Sequence, residues 1–456
     1  MLASGTPATN PLERPRLVNA YVNTWRNHNV YEWPRGWPSF AGIGVQVSLK
    51  CGKGSVRLQI PRESLLDVLK PKRSVKRGRS LAEALARPIE AEPLKKLLDR
   101  RDKVAIVVSD VTRPCPTRKI LPHVMRLLKT SGIPRDNIRI LMGTGTHRAQ
   151  TPAEKTTILG EDARSIPQVI DHRMDDVQYI GTTKRGTRVS VNPLLLDADF
   201  ALAIGNVDIH YFAGYTGGYK AVMPGLAGKE TIERNHSLMT LPNAEPGVIE
   251  QNPVREDLEE AGQLTGLRYV VNVVLDEANR MIAVFAGDPI AAQRRATKIV
   301  DGFARVSIKE LADIVVASAG GYPRDINLYQ AHKAIENASH AVKPGGTIIV
   351  AAECREGYGN TTFENWTRNA SSLDEVREKL SKQFILGAHK TYALSKIARR
   401  AEIIVVSDRM IEANPVIFKI FKKPQEALDH ALRLHGQDAS ILLMPYAMST
   451  LPALPS

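Results

Sequence analysis

The sequence predicts an α/β protein: two α/β domains with mainly parallel sheets and an active-site cleft between them. Three observations predict it. Apolar runs ending in polar turns recur at 103-KVAIVVSD-110, 138-IRILMG-143 and 200-FALAIG-205, as expected of strands covered on both faces. A second series begins near residue 308, with 312-ADIVVAS-318, 347-TIIVAA-352, 402-EIIVVS-407 and 441-ILLMP-445. Helical patterns separate the runs, and 456 residues is the length of about two or three domains.

In chain order, residues 1–40 are rich in Pro, Asn and Trp without sustained periodicity and read as an extension. Residues 41–305 form the expected N-terminal catalytic, cofactor-binding domain, 306–445 the C-terminal domain and 446–456 a tail. Alternation in 45-VQVSL-49 and 55-SVRLQI-60 predicts a hairpin. The run 138–143 leads into 143-GTGTHR-148, after which Thr151, Pro152 and Glu154 supply an N-cap, an N1 proline and a capping-box acid. The segment 209-IHYFAGYTGGYKAVMPG-225 holds four glycines, which favour turns and close backbone approach, so it reads as a loop built to approach something, with His210, Tyr211 and Lys220 pointing into the space the glycines leave open; a plain surface loop is the alternative. The stretch 228-GKETIERN-235 reads as a short helix, and 319-AGGYPRDINLYQAHKAIENA-338 as a glycine turn followed by a helix.

Composition narrows the function classes. With 43% hydrophobic and 24% charged residues the chain has a globular, water-soluble composition. Cys51, Cys115 and Cys354 lie far apart with no C-x-x-C pair, which supports neither a disulfide framework nor a zinc knuckle; the cytoplasm is the default compartment. No apolar run approaches the roughly 18 residues of a spanning helix, and the N-terminus lacks a signal-peptide core, so no membrane role is expected. The net charge of +14 comes largely from clusters such as 71-PKRSVKRGR-79 and 421-FKK-423, without the aromatic interleaving of RNA-binding surfaces. Nucleic acid is therefore not the expected partner. A basic protein also attracts small anionic substrates.

Three strands end in loops carrying Asp110 with Arg113, then His147, then His210 with Lys220. In open α/β sheets such loops converge on one crevice. An imidazole titrates near neutrality, so His147 and His210 suit acid/base work, with a hydrogen-bonded structural role as the alternative for each. Arg113 suits a carboxylate or phosphate fork. Asp110 orients a ligand or caps the following helix. The glycines of 143-GTGTH-147 offer backbone N–H groups to a phosphate. Lys220 on its own reads as a phosphate contact or a surface charge. Tyr329 and Lys333 share one helix face, which fits either a ligand contact or an amphipathic surface.

Taken together, 109-SDVTRPCP-116, 143-GTGTHR-148, 210-HYFAGYTGGYKAVMPGLAGKETIERNH-236 and 321-GYPRDINLYQAHKA-334 resemble the nickel-pincer lactate racemase family, over roughly residues 45–445. The resemblance implies an isomerase that racemises a 2-hydroxy acid, lactate or a related acid, by hydride transfer. Its implied cofactor is a nickel-pincer nucleotide, a pyridinium-3,5-bisthiocarboxylic acid mononucleotide carrying nickel, supplied by other biosynthetic proteins. Lys220 would tether one arm of it, and His236 would complete the nickel coordination. His147 and His210 match the acid/base pair. Asp110, Arg113, Gly143, Gly145 and Thr146 match the cofactor-facing positions, and Arg113, Tyr329, Gln330 and Lys333 the substrate contacts. Variation around Ala213 and Tyr219 leaves the particular acid open.

Other classes fit less well. A metal-dependent hydrolase could use His147, His210 and His236 as ligands, but short ligand spacing is missing. A nicotinamide dehydrogenase would want G-x-G-x-x-G after the first strand, which is absent. His172, among the acids of 171-DHRMDD-176, reads as a surface or supporting residue, and His332 as solvated. Cys115 has no paired base and is not expected to be a nucleophile.

Overall fold

The computed structural model describes residues 44–72, 78–160, 168–276, 279–382, 384–410 and 412–455. The N-terminal extension read over residues 1–40 lies outside them, as does the middle of the basic cluster at 71–79.

Two six-stranded sheets organise the chain. The first runs, edge to edge, Met281–Gly287, Leu267–Leu275, Phe200–Asn206, Val104–Ser109, Ile138–Gly143 and Gln168–Asp171, parallel except for the first pair. The second runs Lys419–Phe421, Glu402–Val406, Val342–Ala351, Ala312–Ser318, Ile441–Met444 and Leu65–Val68, parallel throughout. The α/β class with mainly parallel sheets is thus borne out.

The strands read as unbroken apolar runs because both faces are covered. Val104, Ile106 and Val108 join Ile120, Val124 and Leu128 of the helix Thr117–Thr130 in one core. Ala105 and Val107 turn the other way, into a core with Val222, Leu226 and Leu258. The second sheet repeats the device. Val315, Ala317 and Ile348 pack with Leu328, Ala331 and Ile335 of the helix Leu328–Ala338, whereas Ile314, Val316 and Ile349 pack with Leu428 and Leu432 of the helix Pro424–His435. Each fully buried aliphatic side chain of this kind contributes about 1.5–3 kcal/mol.

Two pairings join distant parts of the chain. The hairpin Gly44–Cys51 and Gly54–Pro61 places Val47, Leu49, Leu58 and Ile60 in the core of the second sheet, and Leu65–Val68 pairs with Ile441–Met444. The stretch 44–68 thus packs with the second sheet; alternation predicted the strands but carries no information about a partner far along the chain. Residues 446–456 are not merely a tail, because Leu451–Ala453 pairs with Arg305–Ser307.

In the first sheet, Val104–Ser109 lies between Ile138–Gly143 and Phe200–Asn206, and the chain order reverses there. A crevice at the carboxyl ends of these strands follows from that reversal. No described helix is long and apolar enough to cross a membrane.

Candidate active site

A cavity opens at this reversal, and the residues singled out from sequence meet in it. Asp110, Arg113, Gly143, Gly145, Thr146, His147, His210, Lys220 and His236 line it from the first-sheet side, and Tyr329, Gln330 and Lys333 from the helix Leu328–Ala338.

Asp110 follows the last residue of its strand and is only 3% exposed. Its Oδ2 accepts from His147 Nδ1 at 2.5 Å, and its Oδ1 accepts from Thr112 Oγ1 at 2.6 Å and Thr112 N at 2.9 Å. Burial alone would raise its pKa, but the bond and charge of His147, with the Arg113 guanidinium and Thr112, outweigh it and hold the carboxyl low. An ionised Asp110 fixes the proton of His147 on Nδ1 and leaves Nε2 as the free, basic nitrogen. Asp110 is not a helix cap: the helix Thr117–Thr130 begins at Pro116 with no side-chain cap.

The segment 209–225 does form a loop, yet a buried one. Ile209–His210 pairs with Gly214–Tyr215, and His210, Tyr211 and Tyr219 are 8%, 8% and 7% exposed, so the segment is not the plain surface loop of the alternative reading. The glycines explain why it can sink. Gly214 has φ +70°, and a Cβ there would overlap the Val248 carbonyl; a Cβ on Gly225 would overlap that of Ala221. Arg255, fully buried, donates to the Ala213 and Tyr215 carbonyls and pins the loop. His210 Nδ1 accepts from Ala213 N at 3.3 Å, so the neutral ring carries its hydrogen on Nε2. Burial first, then Lys220 and Arg113, push its pKa well down.

Lys220 sits in the short 3-10 turn Gly218–Ala221. Burial, with Arg113, Arg255 and Lys333 nearby, drives its pKa well below the usual lysine range, which favours the neutral, nucleophilic amine. His236 is placed by the helix Lys229–Ser237, which forms where the sequence predicts one. Behind it, Asn235 Nδ2 donates to Asp257 Oδ2 at 2.8 Å, and the fully buried Asp257 also accepts from Thr183 Oγ1 at 2.5 Å and Thr187 Oγ1 at 2.8 Å. With its amide nitrogen so engaged, Asn235 turns Oδ1 to His236 Nδ1 at 3.3 Å. That contact puts the ring hydrogen on Nδ1 and leaves Nε2 as a lone-pair donor suited to a metal. Burial, then Lys220 and Lys390, lower the His236 pKa well below its ordinary value.

On the opposite wall, Lys333 Nζ donates to Gln330 Oε1 at 2.8 Å, and burial followed by Arg113 lowers its pKa to about 7. Burial drives the Tyr329 phenol well above its ordinary pKa. The Tyr211 hydroxyl is buried with no partner. Arg113, Lys220, Lys333 and Lys390 together confront one lining carboxylate, Asp110. Such an excess of basic side chains, with a free imidazole nitrogen and a ring-lined wall, fits an anionic, flat group with a soft metal centre.

Other readings change with the structure. His332 is fully buried rather than solvated, its Nδ1 3.0 Å from the Tyr329 carbonyl. His172 is 5% exposed and held by the Ala227 carbonyl and Asn192, a structural residue away from the surface. Within 143-GTGTH-147, the N–H groups of Thr144, Gly145 and His147 already bond the carbonyls of Met142, Gly225 and Thr144, so they do not form an open phosphate nest. Burial pushes the Cys115 thiol up to about 12, in keeping with the absence of a nucleophilic role. Among the described residues, no group of three or more His, Cys, Asp or Glu side chains could hold a metal, so His147, His210 and His236 do not converge as direct ligands.

His389 and Lys390 also line the cavity and were missed. They open the helix Ala388–Ala398 behind Gly387, whose φ is +94°. A signal did exist: the tripeptide Ala-His-Lys occurs both at 331–333 and at 388–390.

Comparison with known proteins gives the family. Residues 51–247 match the lactate racemase N-terminal domain, and residues 307–451 the lactate racemase C-terminal domain. The chain belongs to the lactate racemase family. It is an isomerase, a lactate racemase-like enzyme. The lactate racemase of Thermoanaerobacterium thermosaccharolyticum is 30% identical over 425 residues, covering 89% of this chain and 99% of that relative. The lactate racemase of Lactiplantibacillus plantarum is 32% identical over 381 residues, with 80% and 88% covered. The structure of the apoprotein of the first superposes with a TM-score of 0.84, at 30% identity over 90% of this chain and all of the other. A Thermotoga maritima protein shares the fold alone, at a TM-score of 0.65 and 20% identity, with 79% and 96% covered.

Proposed function

We propose that this family member racemises a 2-hydroxy acid, lactate or a close relative, with His147 and His210 handling the hydroxyl proton and Lys220 and His236 holding a nickel-pincer nucleotide. The observation that carries the reading is the meeting of these four side chains in one cavity, each with a free atom of the required kind. When bound, that nucleotide supplies a hydride acceptor and donor, chemistry no side chain offers.

The remaining work falls to the chain itself. His147, oriented by Asp110, accepts the hydroxyl proton at Nε2. Arg113 and Lys333 attract the substrate carboxylate, and Gln330 holds the Lys333 ammonium in place. His210 donates from Nε2 toward the same oxygen at rest; to act as a base it gives up the long contact from Ala213 N and carries its proton on Nδ1. Two imidazoles serving one oxygen give each enantiomer a proton partner. The neutral Lys220 amine suits an amide-type link to a carboxyl-derived arm. A cytoplasmic setting, with separate proteins that build the cofactor, completes the proposal.

The test is to prepare the protein in cells with and without the cofactor-building proteins, then measure nickel, adduct mass and interconversion of the lactate enantiomers. Activity that depends on the loaded cofactor is expected. Full activity of metal-free protein overturns the reading.

A further inference from the structure

Lys390 is 4% exposed and belongs to the cavity wall, yet no described carboxylate forms an ion pair with it. Its Nζ lies 4.1 Å from the centre of the Tyr329 ring, 5.0 Å from that of Tyr211, and 3.1 Å from His332 Nδ1. Ring faces and an imidazole give weak support to an ammonium so far from water. The one acid that favours its charged form, Glu336, is not part of the wall.

Its neighbour carries a second unused donor. His389 Nδ1 accepts from Gly387 N at 3.1 Å, so the neutral ring keeps its hydrogen on Nε2. The ring packs edge-on against His236 at 5.9 Å and Tyr329 at 6.3 Å. Both side chains line the cavity, so an N–H and an amine that takes up a proton as an anion binds are both offered to a carboxylate there. The packing of His389 against His236 and Tyr329 sets this position beside the reacting centre proposed above.

We infer that His389 and Lys390 form a second anion-binding position, which receives the distal carboxylate of a dicarboxylic 2-hydroxy acid. The inference rests on the 2-hydroxy acid reading for the substrate's reacting end, and it names the substituent that the site selects. Arg113 and Lys333 take the carboxylate next to the hydroxyl-bearing carbon. His389 and Lys390 take the one beyond it.

The test is calorimetric titration of the cofactor-free protein with 2-hydroxybutanedioate, lactate and inorganic phosphate, repeated for Lys390→Met and His389→Phe. One added charge-assisted carboxylate contact predicts at least about tenfold tighter binding of the dicarboxylate than of lactate. Lys390→Met should erase that preference, weakening the dicarboxylate at least about tenfold more than it weakens lactate. His389→Phe, which keeps an apolar ring in place, should weaken the dicarboxylate selectively and guards against a misfolded methionine variant. Equal binding of the two acids, a preference unchanged in both variants, or Lys390-dependent binding of phosphate alone overturns the inference. If the cofactor-loaded enzyme racemises lactate while the preference is missing, this inference fails and the proposed function stands. If the preference holds but the loaded enzyme racemises neither acid, the proposed function fails.

Discussion

His147 Nδ1 lies 2.5 Å from Oδ2 of Asp110, a carboxylate itself held by Thr112 and almost wholly removed from water. The pair sets which imidazole nitrogen is basic before any substrate arrives. Asp110→Asn keeps the shape but can offer its amide hydrogen to Nδ1, which favours the wrong tautomer. A fall in kcat of about 10²–10⁴-fold is expected, with bound cofactor unchanged by absorbance and nickel content. A variant turning over at the wild-type rate would return Asp110 to a purely structural role.

His147→Ala and His210→Ala should each reduce racemisation by about 10²–10⁴-fold. Because the equilibrium constant between enantiomers is one, kcat/KM must fall equally from either side, whichever histidine is removed. Chiral chromatography of reactions started from each pure enantiomer reads this directly. Near-normal rates in one variant would show that its histidine only supports the fold.

Lys220 offers a neutral amine, so protein prepared with the cofactor-building proteins should carry a covalent mass addition that Lys220→Ala lacks. Intact-protein mass spectrometry decides it. An adduct that survives the substitution would place the link on another residue.

Neither histidine is asked to remove the hydrogen on C2, whose acidity beside an anionic carboxylate is very low. Substrate deuterated at C2 should therefore racemise in ordinary water with its label largely kept, and with a primary isotope effect where chemistry limits the rate. Rapid washout of the label to solvent would point instead to proton abstraction by a side chain.

The cavity lysines predict a pH dependence of stability. Burial and neighbouring cations lower the pKa values of Lys220, Lys333 and Lys390, Lys333 to about 7. In the unfolded chain these amines hold their protons to pH of about 10.4. Between pH 7 and about 8.5 the unfolded state thus binds more protons, and stability rises with pH. Above that window Cys51 and Cys115, raised to about 12 by burial, act in the opposite sense. Thermal melts of the cofactor-free protein should show Tm climbing across the window, and less steeply with an anion bound. A falling Tm would mean the amines stay charged in the folded protein.

The sequence revealed the strands of both sheets and the residues converging at their ends because buried parallel strands leave long apolar runs, and the polar turns after them stand out. Thr151 and Glu154 form the capping box their spacing announces. What sequence could not give was pairing at a distance: nothing in 65-LLDV-68 names Ile441–Met444 as its neighbour. Burial of polar groups was equally hidden. His332 stands beside a lysine, as a solvated histidine would, yet the helix turns it inward against Tyr211, ring to ring at 4.8 Å. Lys390 escaped notice for the same reason, since an ordinary helix start and a buried ammonium are spelled alike.

The contact of Gly145 N with the Gly225 carbonyl bears on how quickly a ligand can be captured. Two loops that would otherwise wander are tied to each other by their own backbones, at a turn where Gly145 takes a φ of +54°. A guest entering the cavity need not fold them first, so little ordering entropy is charged against its affinity. Association should then be governed by diffusion and electrostatic attraction, slowing as salt is added, rather than by a conformational step that sets the same ceiling at every ligand concentration.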